Sequence, residues 1–237
     1  MPVFLKLCLA HLIADFILQF DELYHLKLKS FAGHILHAVC HAAISLLLLW
    51  PYLGNPFIWK FVLSISVIHL FQDFVKYRLA AKHKKYFFII FILDQALHFL
   101  IISSALLFPD CGQVLGFASW PVLNELYSNS RWTLYAIAFV TATFAGSFTL
   151  HALRTNFLPD SRQDHFITNW EMVHSILERS FLAWLFIFAP DPWVLVFSPL
   201  VGVVRLFFKR IRNGNDFFFS FDYAALVGLI FRIFILK

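Results

Sequence analysis

Four pairs of ionisable side chains, each spaced four residues apart, stand inside apolar stretches of this sequence. They are His11 and Asp15 in HLIADFILQF, His37 and His41, His69 and Asp73 in HLFQDFVK, and Asp94 and His98 in DQALH. Residues four apart share one face of an α-helix, so each pair presents its two polar groups together. Imidazole and carboxylate ligate zinc as well as iron and manganese, and a pair at this spacing can aim both groups at one ion. The same groups can also relay protons.

The setting makes these residues expensive. An ionised Asp at the centre of a spanning helix costs about 2.5–3.5 kcal/mol on insertion scales. Protons, water or a metal can offset that cost. A single His-x-x-x-Asp pair on an apolar helix reads as a packing hydrogen bond. Four pairs in successive apolar segments leave three readings open: a metal centre, a polar network without metal, and plain packing. The imidazoles and carboxylates exceed one tetrahedral shell. Either two ions bind, or one does while the surplus groups orient ligands and handle protons.

The elements that must carry these pairs are membrane spans. The chain is 60% hydrophobic and 14% charged, with 31 Phe and a mean hydropathy of +0.75. Apolar runs of roughly 20 residues, enough to cross a ~30 Å hydrocarbon core, recur from end to end. They are continuous rather than alternating, which excludes a β-barrel. The expected fold is all-α, a polytopic bundle of about eight spans. These fall near residues 3–21, 31–53, 56–76, 86–108, 132–153, 172–189, 193–209 and 218–236. Residues 1–108 read as a four-span His/Asp-bearing bundle, 109–131 as an external loop, and 132–237 as a C-terminal half of about four spans. The first span has no small-residue cleavage site and carries charges, which argues against a signal peptide. Cys8, Cys40 and Cys111 are scattered and form neither a disulfide framework nor a CxxC motif.

Lys and Arg concentrate in the odd-numbered loops, for example Lys27 and Lys29 in the first and KYRLAAKHKKY in the third. The positive-inside rule then places odd loops in the cytoplasm and both termini on the opposite side. With alternating direction and a rise of 1.5 Å per residue, all four pairs fall in one layer of the cytoplasmic half. His11, His41 and His98 lie near mid-span, and Asp15, His37 and Asp94 about 6 Å below.

The segments HLIADFILQF, HILHAVCH, HLFQDFVK and DQALH, in that order across roughly residues 7–100, resemble the bacterial membrane family DUF3307. ILERSFL (176–182), VVRLFFKR (203–210) and FDYAALVGLI (221–230) are similar to its longer members, with Arg205 where a lysine is expected. The resemblance implies an inner-membrane location and supplies no reaction. Comparable membrane His/Asp families are often labelled metal-dependent hydrolases, which is an analogy only.

The expected function is a membrane-embedded metal-dependent hydrolase acting on a lipid or lipid-linked substrate. His37, His41, His69 and Asp73 are the primary candidate ligands, with His11 and His98 completing a second or mixed shell. The ion is zinc, with iron or manganese as alternatives. Asp15 or Asp94 is the candidate general base. His34, Gln19, Gln72 and Gln95 are candidates for orienting the ligands. Lys76 and Arg78, about one turn beyond Asp73, could hold a headgroup phosphate. A metal or proton transporter using the same layer is the alternative, and a non-catalytic membrane partner is a third reading. His174, Glu178, Arg179, Arg205, Asp222 and Arg232 in the second half read as interhelical ion pairs, Glu178 with Arg205 for example. The net charge of +5 sits in loops and argues orientation rather than nucleic-acid binding.

Overall fold

The computed structural model describes residues 2–108, 121–157, 169–189 and 214–235, together with Trp193 and Phe197. Every regular element among them is helical. Four helical stretches are long and apolar enough to cross a membrane: 31–48, 56–82, 84–107 and 130–153. A fifth is added if the bent pair 2–17 and 21–29 counts as one span. Candidate span 193–209 lies outside the described residues apart from Trp193 and Phe197. The chain divides into two units, 1–133 and 134–237.

In the first unit the helices are α1 (Pro2–Leu12), α2 (Asp21–Lys29), α3 (Phe31–Leu48), α4 (Pro56–Lys82), α5 (Phe87–Ser103) and α6 (Pro121–Ser128). α1 packs against both α3 and α5, α3 against α4, and α4 against α5, so these four close into a ring. The ring exposes large apolar side chains and encloses a polar layer among buried apolar residues such as Leu7, Ile58 and Val62. Phe71 and Leu100 are 58% and 65% exposed, whereas His37 and Asp73 are 0% and 2% exposed. An outer face this apolar suits a hydrocarbon solvent.

The first span departs from the expected helix over 3–21. Residues Ile13–Ile17 form a π-helical turn, closed by Leu18 N–H donating to the Ile13 carbonyl at 2.9 Å. The chain then bends by 84° into α2. No Gly or Pro lies between Leu12 and Phe20, so no breaker announces the bend. α2 carries Asp21 and Glu22 in its first turn and Lys27 and Lys29 in its last, complementing its dipole. It folds back onto α3 at Gly33, where a Cβ would stand only 2.4 Å from the Lys27 backbone nitrogen. Only glycine permits so close a backbone approach.

α4 starts on a side-chain cap, Asn55 Oδ1 accepting from Phe57 N–H at 2.9 Å, with Pro56 at its first position. It continues to Lys82, well past the expected span end at 76. Its last turns, KYRLAAK, contain good helix formers and no breaker. Lys76 therefore lies on a helix face rather than in a loop. The stretch expected as a loop over 109–131 is helical in part, since α6 occupies Pro121–Ser128. The Tyr127 hydroxyl donates to the Leu47 carbonyl at 3.0 Å, and the Lys6 ammonium sits 4.9 Å from the Tyr127 ring centre.

In the second unit α7 (Ser130–Val140) passes through another π turn (Thr141–Ala145) into α8 (Gly146–Phe157), followed by α9 (Asn169–Phe188) and α10 (Gly214–Ile235). α9 and α10 pack along each other through small residues: a Cβ at Gly228 would meet Phe186 Cβ at 2.5 Å. The buried Arg179 donates to the Thr143 carbonyl at 3.0 Å and to the hydroxyls of Ser147 and Ser220. It thus binds a carbonyl of the π turn, where regular helix bonding is interrupted. Arg205, its neighbour Glu178's expected partner, lies outside the described residues.

Candidate metal centre

The axis of the first-unit ring holds five imidazoles and one carboxylate. α1 supplies His11, the π turn Asp15, α3 His37 and His41, α4 His69 and α5 His98, all buried. His69 is the hub. Its ring centre lies 4.4 Å from that of His98, 4.5 Å from His41, 5.0 Å from His37 and 5.8 Å from His11. His11 stacks on His98 at 4.9 Å. Asp15 Oδ1 lies 3.1 Å from His37 Nε2 and 3.5 Å from His69 Nε2, and only the first of these is a hydrogen bond.

In the neutral form, the tautomers of three rings are fixed by their hydrogen-bond partners. His11 Nε2 donates to Gln95 Oε1 at 3.2 Å, because the amide's nitrogen is turned to Asp94. Its Nδ1 therefore carries the lone pair. His98 Nδ1 donates to the Asp94 backbone carbonyl at 2.8 Å, leaving the lone pair on Nε2. His37 Nε2 donates to Asp15, leaving Nδ1. Each nitrogen left with a lone pair is buried and has no hydrogen-bond partner, and neither do both ring nitrogens of His41 and His69. Seven orphaned ring nitrogens in one region are a heavy burden, since a buried unpaired polar atom costs about 1–3 kcal/mol. One ring nitrogen bonded to a carbonyl or amide, the other facing inward unpaired, is the arrangement of a histidine that ligates a metal.

Three donor sets have ligand atoms within 4.8 Å of one another: His11, His41 and His69; His11, Asp15 and His98; Asp15, His37 and His69. Donors around a tetrahedral zinc stand about 3.4 Å apart. Each set brings together three donors of types that ligate divalent cations, so the residues fit such an ion.

Two carboxylates stand apart from the cluster. Asp73 Oδ2 accepts from His34 Nδ1 at 2.8 Å and pairs with Lys27 Nζ at 3.0 Å. Asp94 Oδ2 pairs with Lys76 Nζ at 2.8 Å. Of the three buried carboxylates of the first unit, Asp15 alone is in no lysine ion pair among the described residues. Each of the two lysines pairs with one aspartate, and the Asp15 carboxylate has imidazoles of His11, His37 and His69 around it.

The model of a family described as a protein of unknown function, DUF3307, matches residues 3–114. The match covers a little under half of the chain. No curated protein and no solved structure matches the chain.

Within the matched region the other candidate residues have distinct surroundings. Gln95 bridges His11 and Asp94, as an orienting group would. Gln19 Oε1 accepts from Lys27 Nζ at 2.8 Å, which places it beside the Asp73 pair rather than at the rings. His34 touches Asp73, and Gln72 is half-buried on α4. Lys76 faces Asp94, whereas Arg78 is exposed with its guanidinium 4.4 Å from the Phe74 ring centre. Sequence reasoning assigned Lys27 to a loop as a topology signal and missed it as the partner of Asp73. No local pattern links residues 27 and 73; the contact depends on the π turn and on Gly33.

Proposed function

We propose that the region matching DUF3307 is a divalent-metal centre of a membrane-embedded hydrolase that acts on a lipid or lipid-linked substrate. The observation that carries this reading is the Asp15 carboxylate, in no lysine ion pair among the described residues, set beside buried imidazole nitrogens that have no hydrogen-bond partner. His11, His41, His69 and His98 would hold the ion, zinc first among zinc, iron and manganese, with Asp15 as the anionic ligand. A bound divalent ion supplies Lewis acidity toward an ester or phosphoryl oxygen and acidifies water. The chain's own contribution is orientation. Gln95 and the Asp94 carbonyl aim two rings, and the Asp94–Lys76 pair at the rim can pass a proton outward.

The cellular setting that goes with this reading is a bacterial inner membrane crossed about eight times, with the basic odd-numbered loops in the cytoplasm. A transporter is the second reading, favoured by the overlap of the donor sets: His11, Asp15 and His69 each belong to two, so a cation could step between them.

Elemental analysis of the detergent-purified protein, with His69→Ala alongside, tests the centre. Stoichiometric zinc, iron or manganese that the variant lacks is expected. A metal-free wild type whose His11, His41 and His98 variants are equally stable would leave a proton network instead. Reconstituted vesicles then separate lipid turnover from metal flux, and flux without turnover selects the transporter.

A further inference from the structure

At the end of the ring where α2 folds over, a cavity of about 280 Å³ lies between the α2–α3 junction and the last turns of α4. Lys27, Lys29 and Arg78 line it, and no carboxylate does. Lys27 is engaged with Asp73. Lys29 and Arg78 are exposed and in no ion pair among the described residues. Arg78 packs against Phe74, which holds its guanidinium on the cavity wall. α3, 18 residues long, begins here at Ser30 and Phe31 without a side-chain cap, so the positive end of its dipole adds to the two cations.

The remaining wall is apolar, formed by Leu28, Phe31, Phe74 and Ala81. Next to it on α4 runs an exposed stripe, Phe71, Val75 and Leu79, each one turn from the last. The volume lies below that of a drug-sized pocket, enough for a headgroup with its chains left outside. A small cationic cavity bordered by lipid-facing hydrocarbon matches an amphiphile with an anionic head.

We infer that this cavity binds the phosphate headgroup of an anionic lipid, held by Lys29, Arg78 and the start of α3, with its acyl chains along Phe71, Val75 and Leu79. His34 closes the inner side of the cavity and lies one helical turn from His37. The bound headgroup is then next to the imidazole cluster. The inference rests on the proposed hydrolase only for that direction of entry; binding stands on the cavity alone.

Calorimetry on the protein in neutral detergent, treated with chelator so that the metal centre takes no part, tests it with three probes. Dioctanoyl phosphatidic acid is expected to bind at least about tenfold more tightly than dioctanoyl phosphatidylcholine or inorganic phosphate. Lys29→Gln with Arg78→Gln is expected to weaken it by about tenfold or more, as two charge-assisted contacts are lost. Both side chains are exposed, and a wild-type elution volume and melting temperature show that the variant folds. Equal affinity for the choline lipid, phosphate binding as tightly as the lipid, no binding, or a double variant that binds like wild type would each overturn the assignment. His69→Ala is expected to lose metal and keep phosphatidic acid, so failure of one proposal is distinguishable from failure of the other.

Discussion

Lys27 Nζ lies 3.0 Å from Asp73 Oδ2, reaching from α2 to α4 with both side chains closed off from solvent. The pair neutralises a carboxylate that would otherwise be buried alone. Truncating one partner of such a pair typically costs about 3–5 kcal/mol, because the remaining charge is stranded. Lys27→Met is therefore expected to destabilise the domain by that order, and Lys27→Met with Asp73→Leu to recover much of the loss. Thermal melts of the three variants in detergent check this; simple additivity would mean that the two side chains do not interact.

Gln95 holds the His11 ring through Nε2 at 3.2 Å. Gln95→Leu removes the acceptor without touching a ligand atom. Loss of a group that orients a metal-bound histidine commonly lowers affinity by about 10–100-fold. Competition titration with a metal-sensitive dye should find a drop in that range, and unchanged affinity would remove Gln95 from the centre.

Chelation should act as a destabiliser. A ligand present at 100 times its Kd adds about 2.7 kcal/mol to the folded state. The melting temperature of the wild type is expected to fall when EDTA is added, whereas that of His41→Ala, already unable to complete the set of His11, His41 and His69, should move far less.

Gly33 faces the Lys27 backbone with no room for a methyl group, the nearest atom being 2.4 Å from an added Cβ. Gly33→Ala forces α2 away from α3 and draws Lys27 off Asp73. Overpacking of this kind costs about 1–3 kcal/mol, and loss of the ion pair adds to it. The yield of folded protein on size exclusion should fall more for Gly33→Ala than for Ala38→Gly on the same helix.

Much of the helical architecture was legible because its signals are local. Apolar runs of spanning length mark α3, α4 and α5, and Asn55-Pro56 marks the start of α4. The convergence of His11, His37, His41, His69 and His98 followed from counting rise per residue in alternating directions, a calculation that needs only span direction and spacing. The partition of the carboxylates was not legible. His69 and Asp73 form an i, i+4 pair like His11 and Asp15, yet Asp73 turns to Lys27 and His34 while Asp15 turns to the rings. That choice depends on where α2 lands, which is decided by a backbone contact at one glycine and by a bend without Pro or Gly. Lys76 was read, at the end of its span, as a cation for a headgroup phosphate; in the structure α4 runs on to Lys82 and Lys76 pairs with Asp94.

The π turn at 13–17 amounts to one surplus amino acid threaded into an otherwise ordinary coil. Excise it, and everything downstream rotates by about 100°. The elbow that returns α2 would open, and a carboxylate now beside His11, His37 and His69 would swing away from them. An insertion of a single residue, invisible to any count of polar side chains, thus sets which way the Asp15 carboxylate looks.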